Sequence, residues 1–171
     1  MAKWIYVNTR ELQLYLFDKN AILAQYPVST AKNGLGEIEG SEMTPRGWHC
    51  IEKKIGADEP INTVFKGRVP TGEIYSDALA LMHPTRDWIL TRILWLSGLE
   101  EGKNKGGNVD SFSRYIYIHG SPDSGSFETP LSHGCVRMRN ADMLALFEAV
   151  DEKTPVFIGD EPAPNVMEYI E

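Results

Sequence analysis

Short runs in which large apolar or β-branched residues alternate with polar ones constrain this chain most, because a period of two buries one face of a strand and not of a helix. Residues 4–7 and 13–17 alternate in this way, and Asp18-Lys19-Asn20 separates the second run from a third over 21–28, a hairpin pattern. Residues 48–54 make a further run behind Thr44-Pro45-Arg46-Gly47, and Pro155-Val156-Phe157-Ile158 makes the last. Residues 88–96 are apolar on both parities, and their length and their Ile, Thr and Trp content favour a strand buried on both faces. Against these stands one helix, with Asn140 as its cap and Met143, Leu144, Leu146, Phe147 and Val150 on one face. The expectation is a mostly β fold, a sandwich or barrel-like mixed sheet with one main helix after Cys135 and a few short ones. Residues 29–44, with Gly34, Gly36 and Gly40 among Glu and Lys, read as a surface loop. Residues 55–84, interrupted by Pro60, Gly67, Pro70, Gly72 and Pro84, read as irregular chain with short strands.

At 171 residues and 42% hydrophobic the chain fits one domain, set at 1–160, with 161–171 as a polar, proline-bearing tail. A net charge of -7 disfavours a nucleic-acid groove or an anionic membrane surface, both of which need concentrated Lys and Arg. No run of about 20 apolar residues spans a membrane. The first residues lack the basic segment, apolar core and cleavage site of a secretory signal. The chain as written is therefore expected in the cytoplasm, or in the periplasm or cell wall if an export signal has been removed. On the same ground Cys50 and Cys135 are expected as reduced thiols.

The stretch 115–120 reads as a strand ending in His119-Gly120, and residues 121–131, rich in Ser, Gly, Asp and Pro, as the loop that leads to Ser132-His133-Gly134-Cys135-Val136-Arg137-Met138. Cysteine acyl chemistry needs a thiolate, a base that takes its proton, and donors for the oxyanion that forms when a carbonyl is attacked. Cys135 follows a glycine that permits a sharp turn, His119 sits on a rigid strand end, and His133 lies two residues before the cysteine. The residues alone leave two other readings open: a buried thiol beside a core histidine, or a zinc set of His119, His133, Cys135, His49 and Cys50, whose spacing matches no closed finger.

Ile118-His119-Gly120 followed by Ser132-His133-Gly134-Cys135-Val136-Arg137-Met138 resembles the signature of the L,D-transpeptidase catalytic domain, also called the YkuD domain. Tyr26-Pro27-Val28-Ser29-Thr30 and Thr44-Pro45-Arg46-Gly47 resemble that family's early strand and its Thr-Pro-x-Gly turn, so the likeness covers residues 5–158. The resemblance implies that Cys135 is the nucleophile, His119 the group that activates it, and the Gly120 carbonyl the third member of the triad. It implies that Ser132, His133 and Gly134 line the pocket and build the oxyanion hole with the Cys135 N–H. Arg137 matches a less constant position, for which a carboxylate clamp is the chemically natural task.

The implied reaction cleaves the bond from the L-centre of the third stem residue to the terminal D-alanine of a peptidoglycan tetrapeptide, through a thioester on Cys135, with no cofactor and no metal. The expected partners are stem peptides or muropeptides, and a carbapenem should form a covalent adduct with the cysteine. Water as acceptor makes the enzyme an L,D-carboxypeptidase, which the missing signal favours; an amine acceptor makes a 3→3 crosslink. The rival from another class is a non-catalytic module that only holds stem peptides. Elsewhere, His49-Cys50 reads as core and His83 as a loop residue. Tyr75, Trp88 and Trp95 read as core that could also frame a groove, and residues 100–108 as a solvated loop with a weaker reading as a lid.

Overall fold

In the computed structural model, which describes residues 2–124, 127 and 132–162, the alternating runs become strands. β1 (Lys3–Asn8), β2 (Gln13–Asp18) and β3 (Ala21–Ser29) form an antiparallel meander, turned at Lys19-Asn20 as the hairpin pattern requires. β4 (Gly47–Ile55) follows the long loop, and β5 (Thr63–Lys66) and β6 (Val69–Ile74) make a small hairpin. A short helix, α1 (Asp77–Met82), precedes β7 (Ile89–Gly98). β8 (Tyr117–Ser121), β9 (Val136–Arg139), α2 (Asn140–Ala149) and β10 (Pro155–Gly159) complete the order. The expected loop over 121–131 lies mostly outside the described residues, as does the expected tail from residue 163 onward.

The sheet runs β4-β10-β1-β2-β3-β9-β8-β7, and a further antiparallel pairing of β4 with β7 closes it on itself. β1 lies parallel to β10 and β8 parallel to β9; the other pairings are antiparallel. The result is a barrel-like sandwich around one core. Ile5, Val7, Leu14, Leu16, Leu94, Leu96, Ile118, Val136, Met138, Val156 and Ile158 point into it, and Met143, Leu146 and Phe147 of α2 complete it. Because side chains alternate across a strand, Tyr117 and His119 of β8 and Arg137 of β9 face the other way from Ile118, Val136 and Met138. Cys135 packs on that outer side with Phe65, Ile93, Trp95 and Tyr117. The β5–β6 hairpin pairs with the start of β7 and shelters this face, which is why β7 is apolar on both parities.

Two local expectations are corrected. The histidine strand begins at Tyr117 rather than Tyr115, whose φ of 58° turns the chain sharply before it. Asn140 is the first residue of α2 and not its cap: its backbone N–H goes to the Asp123 carboxylate at 2.9 Å, and its side chain is engaged elsewhere. At the far end Lys54 of β4 donates to the Phe147 and Val150 carbonyls, giving the helix C-terminus a cation its own last turn lacks.

Candidate active site

Parallel pairing of β8 with β9 brings the two halves of the motif together. Register partners Ile118 with Val136 and His119 with Arg137 set Cys135, at the entry to β9, beside Tyr117 and diagonal to His119 on the same face. The ladder itself fixes the spacing.

His119 is 1% exposed. Its Nδ1 lies 2.6 Å from the Gly120 carbonyl oxygen, which can only accept, so Nδ1 carries the proton and Nε2 the lone pair. Burial lowers the His119 pKa, opposed by the Gly120 carbonyl and the Asp87 charge and reinforced by Arg137, so the ring is neutral near pH 7. Under Gly120, β7 carries a bulge: the pairing with β8 shifts between Leu90 and Ile93, and Thr91 within it has a φ of 74°. The Thr91 hydroxyl donates to Asn140 Oδ1 at 2.5 Å and accepts from the Asn62 N–H, while Asn140 Nδ2 donates to the Ser121 carbonyl at 2.9 Å. This buried net ties β7, β8 and α2 at the end of the histidine strand.

The Cys135 thiol lies 3.4 Å from the Tyr115 carbonyl, to which it donates, and accepts from the Tyr117 N–H at 3.4 Å. Burial pushes its pKa up to about 11, only partly offset by the Tyr117 N–H and the guanidinium groups of Arg137 and Arg114, so the resting sulfur is protonated. The turn before it is held from several directions. Gly134 has a φ of 130°, where a side chain is strained, and an added Cβ would stand 3.2 Å from both Ile116 Cδ1 and the Met43 carbonyl. The Ser132 hydroxyl donates to the Cys135 carbonyl at 2.5 Å and accepts from the Gly134 N–H. Thr44 donates to the Gly134 carbonyl at 2.9 Å and accepts from the Ala31 N–H. Arg114 donates to the Met43 carbonyl at 2.7 Å and to those of Gly36 and Glu37, bracing the same loop.

Two unlike surfaces flank the motif. On one, the β5–β6 turn extends Arg68 over the rings of Trp95 and Tyr115, 4.9 and 4.8 Å from their centroids, and to the Tyr117 hydroxyl at 3.0 Å. On the other, farther along the motif at His133 and Arg137 and without Cys135 or His119 in its lining, opens a pocket of about 320 Å³ that Asp87, Trp88, Pro122 and Phe127 also line. Arg137 pairs with Asp87 at 2.9 Å, and exposed His133 stands at the pocket lip. Every residue singled out by the motif thus gathers at one place. Asp87, Thr44, Arg114, Tyr117 and Asn140 gather there too, without having been singled out as site residues; the Thr-Pro-x-Gly turn was the sole local signal, for Thr44.

The other candidates lie apart. His49 is fully buried in β4, with Nδ1 on the Gly47 carbonyl and Nε2 on the Ser111 hydroxyl, and Cys50 meets the Ser97 hydroxyl at 3.3 Å. Both cysteines are free thiols, and no cluster of His, Cys, Asp and Glu among the described residues is arranged to hold a metal ion. Tyr75, His83 and Trp88 pack together edge to face. In residues 100–108, Asn104 is wholly buried and donates to the carbonyls of Arg46 and Trp48, pinning the loop to the start of β4. No described helix is long and apolar enough to cross a membrane.

A family model described as the L,D-transpeptidase catalytic domain, YkuD, matches residues 2–158. Among curated proteins the chain is 28% identical over 176 aligned residues to the probable L,D-transpeptidase YbiS of Escherichia coli K12, a match covering 98% of this chain and 49% of that protein. The chain thus spans about half the length of the curated relatives it matches. Among solved structures, L,D-transpeptidase 3 from Mycobacterium tuberculosis aligns with a TM-score of 0.56 at 15% identity, over 92% of this chain and 61% of that one. Its complex with a faropenem-derived adduct aligns at 0.53 and 15% identity, over 92% and 60%. At such identities the structural likeness carries the fold alone.

Proposed function

Since the chain belongs to the L,D-transpeptidase catalytic domain family, we propose that Cys135 attacks the carbonyl between the third stem residue and the terminal D-alanine of a peptidoglycan tetrapeptide. The observation that carries this reading is the locked tautomer of His119. With Nδ1–H spent on Gly120, Nε2 is left as a base on the strand beside a cysteine whose thiol still holds its proton. A preformed thiolate pair is not required; His119 takes the proton as sulfur attacks. The developing oxyanion falls to the backbone N–H of Cys135, in the turn formed by Ser132, His133 and Gly134. The protonated His119 then gives its proton to the departing amine of D-alanine, and the acyl group stays on sulfur as a thioester.

For the acceptor we favour water, which returns a tripeptide and the free thiol. What supports this is the Arg68 stack, which lies over Trp95 and Tyr115 beside Cys135. An amine from a second stem would have to displace that stack. The test is D-alanine release from a disaccharide tetrapeptide. Cys135→Ala should lower it by more than about 1,000-fold with an unchanged unfolding midpoint, and intact-mass spectrometry should find a carbapenem adduct on the unsubstituted protein only. Undiminished release from the alanine variant would refute the reading, and accumulation of dimer with no tripeptide would make an amine the acceptor.

A further inference from the structure

The outer face of β1 and β2 carries a set of aromatic rings that acyl transfer at Cys135 does not use. Alternation away from the core residues Ile5, Val7, Leu14 and Leu16 puts Trp4, Tyr6, Tyr15 and Phe17 on that face. Tyr6 stacks on Tyr15 with ring centroids 6.0 Å apart, and Trp4 on Phe17 at 4.5 Å. Tyr6, Tyr15 and Phe17 line a cavity of about 390 Å³, within the size range of small-molecule sites, together with Glu11, Asp160 and Glu161. None of the residues packed around Cys135 lines it.

The turn between β1 and β2 builds the acidic side of this cavity. Asn8 Oδ1 accepts from the N–H groups of Arg10 and Glu11, and Asn8 Nδ2 donates to Glu11 Oε1 at 2.9 Å. The Tyr15 hydroxyl donates to the same oxygen at 2.9 Å, so Glu11 is held in place with Oε2 unengaged among the described residues. Thr9 ties the turn to the Gly159 carbonyl, which brings Asp160 and Glu161 alongside. None of the three carboxylates forms an ion pair among the described residues. Tyr6 is 3% exposed, and its hydroxyl is buried without a hydrogen-bond partner among those residues. Burial, then Glu11, Tyr15, Asp160 and Glu161, push its pKa up to about 12, so this orphan hydroxyl lies at the acidic end of the cavity.

Elsewhere the chain lays its own cations on its rings: Arg68 on Trp95 and Tyr115, Arg86 on Trp88, Arg139 on Phe127 and Lys54 on Phe147. Tyr6, Tyr15 and Phe17 carry none among the described residues. Arg10 lines the cavity without pairing with its carboxylates, and Arg46, whose charge reaches Asp160, is spent on Glu37 through two hydrogen bonds. Residues 1, 125, 126, 128–131 and 163–171, which lie outside the described ones, include no Lys, Arg or His. A cation for these rings and carboxylates therefore comes from another molecule. We propose that the cavity binds a primary alkylammonium group, its carbon chain laid on Tyr6, Tyr15 and Phe17 and its N–H donors shared among Glu11, Asp160 and Glu161, with the Tyr6 hydroxyl behind them. A bare divalent cation wants six or more oxygen ligands, which aromatic walls do not supply. A quaternary ammonium keeps the attraction to the rings but has no N–H for the carboxylates.

The experiment follows amide chemical shifts of the full 15N-labelled chain at pH 7 while n-pentylammonium, pentyltrimethylammonium, 1-pentanol or Nα-acetyl-lysine methylamide is added. Pentylammonium should shift residues 6–11 and 160–161 saturably. Its Kd should lie about 10-fold or more below those of the alcohol and the quaternary amine, the worth of a hydrogen bond to a charged group. Glu11→Gln combined with Asp160→Asn should weaken pentylammonium by about 10-fold or more and leave pentanol unchanged. Both positions are exposed, and an unchanged urea midpoint verifies the fold. Tyr15→Leu should weaken pentylammonium by about 3-fold or more through loss of the ring, and Arg10→Gln, which removes a like charge, should tighten it.

Pentanol or the quaternary amine binding as tightly as pentylammonium overturns the proposal. So do shifts that fail to saturate or that centre on other residues, and so does unchanged pentylammonium affinity in the Glu11 and Asp160 double variant. The lysine derivative then identifies the source of the ammonium. Affinity equal to or above that of the free amine assigns the site to an amine carried on a peptide, and lower affinity assigns it to a free amine.

Discussion

Gly120 is fixed as glycine by what approaches it rather than by its own backbone. A Cβ there would stand 2.5 Å from Asn140 Oδ1 and from the Leu90 carbonyl, and 3.1 Å from Thr91 Cβ, while its carbonyl must still meet His119 Nδ1. Gly120→Ala is therefore expected to cost about 1–3 kcal/mol of stability, as overpacking of a tight site does, and to lower kcat more than KM by turning the carbonyl that orients the base. Denaturant titration beside turnover kinetics checks both, and an alanine variant of full stability and activity contradicts the account. The candidate residues His119, Gly120, Ser132, Gly134 and Cys135 were legible as two short stretches, whose roles came from the family resemblance and not from the residues alone. Asp87 was not, because its part in the site exists only through Arg137, fifty positions away along the chain. Arg114 was hidden for the same reason, its partners being backbone carbonyls of a distant loop.

At the scale of elements, periodicity found β1 to β4, β7, β10 and α2, and it missed what is set by turn geometry or by another element. The β5–β6 hairpin turns on Gly67 and Arg68, both at positive φ, the primed geometry that suits a two-residue connection. In the sequence this is only a glycine in an irregular stretch. Asn140 looked like a helix cap and was displaced from that role by tertiary demand: Thr91 and Ser121 take its side chain, and Asp123 caps in its stead. The two positions should separate in a urea titration. Asp123→Ala removes a cap and is expected to cost about 1 kcal/mol. Asn140→Ala strands the buried Thr91 hydroxyl and the Ser121 carbonyl, at about 1–3 kcal/mol for each group left unsatisfied. A larger loss at Asp123 than at Asn140 would mean that the net between β7, β8 and α2 is not what secures this end of the helix.

The closure of the barrel is the property of the whole molecule that no local pattern carries, since β4 must pair with both β10 and β7 and β1 must lie parallel to β10. His49 sits in that seam, unexposed, and burial depresses its pKa to about 4, with the Gly47 carbonyl opposing the shift. The unfolded chain takes up this proton near the ordinary pKa of 6.5 and the folded chain does not until about 4, so acid favours unfolding between those values. The stabilisation by neutral His49 is complete above pH 6.5 and is lost toward pH 4, by about 3 kcal/mol in all at 1.36 kcal/mol per unit. His119 acts in the same sense, its pKa being lowered by burial as well. The carboxylates of Glu37, Glu52 and Asp110, whose pKa values are lowered, also withdraw stability in acid, so the total slope does not isolate the seam. The difference between the unsubstituted protein and His49→Gln does, because glutamine offers a donor and an acceptor but takes no proton. Urea midpoints measured from pH 7 to pH 4 should fall less steeply for the variant. Parallel curves would mean that β4 opens to water around His49 before the rest of the barrel unfolds, and that closure of the seam is not part of the cooperative unit that pairs β8 with β9.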